Sequence, residues 1–268
     1  MGCALLAVGL SIWGLPRVLL AQAPKKPVVD PGAVEAVRQM AAFLRGLHTM
    51  EVEGDVTTDD VLTTGQKVQY SAVVNLKVRR PNRMRVEIAG DRRNAWLYYD
   101  GSVFTSYEPK LGYYATFAAP PTIMELIDVL EKRYGLDLPL ADLFRLGTDN
   151  GQLAAIRGAT IVGTSTIKGT PCIHYAFHQN DIDWEIWIED GVQPLPRKLV
   201  VTTLTEKSQP QHISVMSWNL SPNFAEKTFA FMPPPNAHRI DFDVAQAPAA
   251  SPQQRQGRAP ASRMGGTP

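Results

Sequence analysis

VQYSAVVNLKVRRPNRMRVEIAGDRRNAWLYYDGSVFTSYEPKLGYYATF, Val68 to Phe117, decides the fold. It reads as five consecutive strands joined by short turns, with no helical period inside it. Met84, Val86 and Ile88 alternate with Arg83, Arg85 and Glu87, the period-2 signature of a half-buried strand. Asp100-Gly101 separates AWLYY from SVFTSY by two residues, a strong hairpin signal. A second turn, Glu108 to Gly112, leads into LGYYATF. WLYY carries large apolar or aromatic groups on both faces, so something apolar is expected against each face of this strand.

Working outward towards the N-terminus, VLTTGQ is a polar turn, and Thr49 to Thr58 alternates as a strand. Asp30 and Pro31 open a helix as N-cap and first-turn residue. Its apolar stripe runs Val34, Val37, Met40, Ala41, Leu44 and Leu47, with Arg38, Gln39 and Arg45 facing away. Before it, residues 1–23 read as a signal peptide. Ala4 to Leu15 is an apolar run, and Ala21-Gln22-Ala23 is a small-x-small cleavage pattern. No Lys or Arg precedes the run, Arg17 follows Pro16 inside the segment, and Pro24 would follow the cut, so cleavage after Ala21 is the alternative. The unbroken run is shorter than the ~20 residues that span a bilayer. Cys3 lies too early for a lipoprotein cysteine. Export to the periplasm as a soluble, unlipidated chain is therefore expected.

Towards the C-terminus the period changes. Pro120 and Pro121 stop the strands, and Thr122 with Glu125 forms a capping box. Ile123, Leu126, Ile127, Leu130 and Tyr134 form one apolar stripe, ended by Gly135. A shorter helix is expected around Pro139 to Leu146, with Leu140, Leu143 and Phe144 on one side and Gly147 as its stop. These helices interrupt a run of strands, so they are expected to fold back over one face of the sheet as a lid or plug. Strands resume at Gly158, with turns at Lys168-Gly169, Asn180-Asp181 and Asp190-Gly191. Trp184, Ile186 and Ile188 form a core-facing row, and Trp187 falls on the opposite face. About ten or eleven antiparallel strands in sequence order would curl into an unclosed barrel. No repeat period of a propeller or solenoid occurs.

Composition narrows the partners. The 268 residues carry a net charge of +1 and are 44% hydrophobic, which argues against a nucleic-acid partner. Residues 245–268 are almost wholly Ala, Pro, Gln, Gly and Ser with three arginines and no acid, a composition that does not fold. Residues 24–244 are expected to make one domain. With Cys172 the one cysteine left after cleavage, no internal disulfide can form, and a monomer resting on its hydrophobic core is expected.

No residue set reads as catalytic or metal-binding. His174 and His178 are four apart, which on a strand spans ~13 Å and cannot chelate one ion. Cys172 and His174 share a face, but Pro-Cys-Ile-His is the start of a packed strand. Asp181 with Asp183, and Glu189 with Asp190, are solvated turn acids. GTSTIKG lacks the G-x-S-x-G elbow. Arg83 and Arg85 read as a solvated strand face with edge-protecting charges. No enzyme activity and no cofactor is expected.

The order of elements, with RRPNRMRVEI, WLYYDGSVFTSYEPKLGYYAT, PPTIMELIDVLEKRYGLDLPLADLF and PLPRKLVVTT, resembles the LolA/LolB superfamily of bacterial envelope proteins. More narrowly it resembles the DUF2092 family of predicted periplasmic proteins, over roughly Val34 to His238. The resemblance implies a mainly β fold with α: an unclosed antiparallel barrel whose concave face is covered by helices, with an apolar cavity for acyl chains. The best known members carry lipoproteins across the periplasm, and others act as receptors or envelope-stress sensors. The implied partners are lipid or lipoprotein acyl chains and envelope membrane proteins. Candidate ligand-binding and gate residues are Arg80, Trp96, Tyr98, Ile123, Leu126, Ile127, Leu130, Trp184 and Ile186. In the carriers, the arginine of the matching Arg-Pro pair holds the helical lid closed, and that role falls on Arg80 rather than Arg79. The long helical insert and the basic Pro-rich tail depart from the carriers. A sensor or scaffold with a permanently packed interior is the competing reading.

Overall fold

A computed structural model describes residues 28–146 and 153–242; the expected signal peptide and the 245–268 tail lie outside the described residues. In chain order the elements are α1 (Pro31–Gly46), β1 (Thr49–Val61), β2 (Lys67–Arg79), β3 (Arg83–Gly90), β4 (Asn94–Tyr99), β5 (Val103–Glu108), β6 (Tyr113–Ala118), α2 (Ile123–Tyr134), α3 (Asp142–Arg145), β7 (Gly158–Ile167), β8 (Thr170–His178), β9 (Ile182–Glu189), β10 (Pro196–Thr203), β11 (Gln211–Asn219) and β12 (His238–Ile240). All twelve strands form one open sheet in the order β12-β6-β5-β4-β3-β2-β1-β11-β10-β9-β8-β7.

The caps of α1 and α2 act as read. The helix expected around Pro139 to Leu146 is shortened to Asp142–Arg145, because Leu140 takes a left-handed conformation, and its expected stop, Gly147, lies outside the described residues. The Asp30 carboxylate accepts from the Gly32 and Ala33 backbone N–H groups, capping α1. Thr122 caps α2 through the Glu125 N–H, and Gly135 closes it in the left-handed conformation at φ 62°. In the β4–β5 hairpin, Gly101 takes φ +94° while the Asp100 carboxylate accepts from the Ser102 and Val103 N–H groups.

The strands do not follow sequence order throughout. β1 pairs with β11 from Glu51–Asn219 to Thr58–His212, so two meanders meet at the middle of the sheet. β6 and β7 thereby lie far apart in the sheet, and the chain that leaves β6 carries α2 and α3 across a face of it. That crossing is why α2 and α3 cover the sheet. The twelfth strand is parallel: His238–Ile240 pairs with Tyr113–Ala115. At the other end, Val29 bridges Ala159 on β7. Short segments thus flank the sheet at both ends, β12 along β6 and Val29 on β7, which limits edge-to-edge association of the longer strands.

One large core joins α1, α2 and α3 to the helix-bearing face of the sheet, with Val37, Met40, Leu76, Val86, Leu126 and Ile186 all fully buried. A small second cluster of Cys172, Trp187 and Val200 lies apart from it. Trp184, Ile186 and Ile188 belong to the main core and Trp187 to the second, as the alternation predicts.

Candidate functional site

Between the helix-bearing face and the α2–α3 connection lies a cavity of about 690 Å³. Its floor comes from three adjacent strands: Val56 of β1, Ala72 and Val74 of β2, and Ile88 of β3. Its roof is the chain from Gly135 to Ala141, with Leu136, Leu138 and Leu140 facing it. Leu140 takes the left-handed conformation at φ 62° and sits against β1 at a glycine. A Cβ at Gly54 would stand 3.3 Å from a Leu140 methyl, so glycine lets Leu140 approach β1 without crowding. α2 starts at the β2–β3 turn, where the Ile123 N–H donates to the Pro81 carbonyl at 3.1 Å, and its C-terminal turn, at Glu131, reaches the cavity.

Polar and charged residues make up about half of the lining, and they are unevenly placed. Arg92 and Arg93, in the turn between β3 and β4, stand at the rim. Arg92 lies 3.1 Å from Asp60 and over the Tyr70 ring. Elsewhere on the wall, Arg145 of α3 is held by Glu131 at 2.6 Å and Asp128 at 3.3 Å. Thr58 and His212 pair across β1 and β11 at 2.9 Å, and Asp142 is partly open to the cavity. Burial pushes the Asp142 carboxyl above the usual carboxylate range, against the pull of His212 and Arg145. Burial holds His212 below the ordinary imidazole value, opposed by Asp142 and Asp137. A smaller pocket of about 150 Å³, lined by Trp184, Leu199 and Val201, shares Asp142 and Arg145 with the larger one. α3 therefore divides two cavities.

Asp142 makes the cavity wall pH-sensitive in a definite direction. A carboxyl whose folded pKa is raised contributes stability that is complete below its unfolded value, about 3.9, and is lost as pH rises through the folded value. Asp142→Asn should therefore melt higher than the unsubstituted protein, with the gap widening as pH climbs above about 4. Thermal melts across the acid range read this directly, and a gap independent of pH would contradict it.

The candidate residues separate into three places. Ile123, Leu126, Ile127 and Leu130 are 0–2% exposed and pack in the main core, with the cavity beyond the C-terminal end of their helix. Trp184 lines the smaller pocket and Ile186 lies beneath it in the core. Trp96 and Tyr98 point to the other face of the sheet, away from the helices and both pockets. There Tyr98, Tyr107 and Tyr114 surround Phe231, with centroid distances of 5.1–5.3 Å. The double coverage read from WLYY is real, and its second cover is the C-terminal segment. That segment returns to the helix side, where Phe242 meets Phe104, Phe117 and Tyr134.

Arg79 and Arg80 diverge. Arg79 holds the outer segment through the Phe224 carbonyl and Glu226, and lies over the Phe229 ring. Arg80 turns to the helices: it donates to the Leu44 carbonyl in the last turn of α1 at 3.4 Å and sits 5.3 Å from the Phe144 ring of α3. Its burial lowers the guanidinium pKa, with Arg45 adding to the effect. Arg85 does not guard an edge, because β3 is an interior strand; it stacks on Tyr98 and lies 3.0 Å from Glu87.

Elsewhere the polar groups are locally satisfied. His174 pairs with Glu185 at 2.8 Å and stacks on Trp187, and His178 pairs with Asp183 at 2.6 Å. Burial pushes the Cys172 thiol up, away from a reactive thiolate. Among the described residues no group of three or more His, Cys, Asp or Glu side chains could hold a metal ion.

The sequence of residues 33–243 matches the model of a family described as "Predicted periplasmic protein (DUF2092)". No curated protein matches the chain. Among solved structures it is similar to lipoprotein LppX of Mycobacterium tuberculosis, at 12% identity, over 72% of this chain and 98% of that one, with a TM-score of 0.39. It is similar to an uncharacterized conserved protein of Thermus thermophilus at 10% identity, over 77% and 99% of the two chains, with a TM-score of 0.44. A LolA superfamily protein of Nitrosomonas europaea aligns at 11% identity over 74% and 98%, with a TM-score of 0.36.

Proposed function

The chain belongs to the DUF2092 family, and from that premise we propose a periplasmic binding protein that holds an acyl chain of a lipid or lipoprotein. The cavity carries this reading. Its volume of about 690 Å³ falls within the ~300–1,000 Å³ of small-molecule sites, and its floor and roof are aliphatic. Each methylene taken from water contributes about 0.8 kcal/mol, so about ten methylenes suffice for micromolar affinity. Residues 1–23 serve as the export signal in this account. Fractionation should place the chain in the periplasm, and a cytoplasmic chain would remove the account's premise.

Arg80 is the proposed gate residue, since it ties α1 to α3 and α3 divides the two pockets. Lysine keeps the charge but loses the planar fork and much of the ring contact. Arg80→Lys should speed release of a fluorescent fatty acid about fivefold, equivalent to roughly 1 kcal/mol. Arg79→Lys, which touches only the outer segment, should leave release unchanged. Equal rates in both variants and the unsubstituted protein would reject the gate.

The sensor or scaffold reading draws support from one observation: the α2 stripe is packed as core. It predicts that the purified protein takes up no fluorescent fatty acid at all.

A further inference from the structure

The cavity is polar at two places of opposite character, and the difference selects a ligand head. Of its lining cations, Arg145 is committed to Glu131 and Asp128. Arg92 and Arg93 are not committed in that way. Arg92 has one exposed ion pair, with Asp60, of the kind that contributes little in water. Arg93 has a single long contact, 3.4 Å to the Asp137 carbonyl. Each guanidinium carries five N–H donors in a planar fork, so most donors at the rim are unspent. The two side chains are adjacent in one turn and repel each other, a repulsion that an anion between them relieves. Asp137 and, more weakly, Glu108 act on Arg93, as Asp60 does on Arg92. Away from the rim, Asp142 lies near Arg145 and His212, and Glu131 is already paired with Arg145, so that part of the wall offers an anion no uncommitted guanidinium.

We propose that Arg92 and Arg93 form a head-group site for a single-chain amphiphile ending in a carboxylate or phosphate monoester, which enters tail first over Val74 and Ile88. The proposal rests on the acyl-chain reading above and adds to it the charge of the head and the direction of entry. The two arginines are exposed on a turn, so their replacement leaves the core untouched.

The test is competition against a bound fluorescent fatty acid by laurate, dodecyl phosphate and dodecanol at slightly alkaline pH. Laurate and dodecyl phosphate should bind at least about tenfold tighter than dodecanol, a difference of about 1.4 kcal/mol. In the Arg92→Gln/Arg93→Gln variant, checked for folding by its melting curve, that preference should vanish. In the unsubstituted protein it should shrink at about 0.5 M sodium chloride, where screening acts within a few ångströms. Equal binding of all three amphiphiles, or a preference that survives the double substitution, overturns the head-group site while leaving acyl-chain binding intact. Failure of all three, dodecanol included, overturns the acyl-chain reading as well. Inorganic phosphate alone should not compete; if it competes as well as dodecyl phosphate, the site belongs to a free anion and the amphiphile is rejected.

Discussion

Replacing Leu126 or Leu130 by alanine is expected to cost about 2–5 kcal/mol of stability each, among the largest single losses on this chain. Leu126 is 0% and Leu130 1% exposed, and both pack into the core that joins the helices to the sheet. They are four residues apart on one face of α2, so the two holes merge and the double variant should lose less than the sum. Against a typical domain stability of about 5–15 kcal/mol, the double variant should be largely unfolded or close to it. Urea midpoints of the three variants measure this. A cost below about 1 kcal/mol for either single variant would mean that α2 swings freely as a lid. With α2 packed as core, the cavity's roof is the Gly135–Ala141 segment that follows it.

Filling the cavity should have the opposite signature, loss of binding with stability kept. Ala72 lies on the cavity floor, and its side chain is partly exposed to that space. Ala72→Trp puts an indole where the acyl chain would lie. Excluding five or six methylenes removes about 4–5 kcal/mol of transfer free energy, or roughly a thousandfold in affinity. The melting temperature should change little, because the indole enters open space rather than packed side chains. Unaltered fatty-acid affinity in a folded Ala72→Trp protein would place the ligand elsewhere.

Much of this fold was legible because its signals are local. Asp30, Thr122 with Glu125, and Gly135 bound two helices by side-chain and backbone chemistry that acts within a few residues. Hairpins such as β4–β5 follow from Asp100-Gly101. The β1–β11 pairing joins residues more than 150 positions apart and leaves no local mark, so local signals alone predict strands in sequence order. β12 is three exposed residues after a proline run, with no alternation to detect, and its parallel pairing supplies the strand missing from the count. Alternation assigned Trp184 and Ile186 inward correctly. It could not orient Trp96 and Tyr98, because WLYY is apolar on both faces and period 2 does not say which face meets the helices. Phe231, far along the chain, was the missing partner. The cavity itself was illegible: it depends on Leu140 reaching Gly54 across the fold, and the rim arginines look like any turn charges until the roof stands beside them.

The most direct test of a bound acyl chain is native mass spectrometry of the protein purified from the periplasm, beside the Ala72→Trp variant. The account predicts a lipid adduct on the unsubstituted protein that is absent from the variant. An adduct-free spectrum that stays so after incubation with laurate would contradict it.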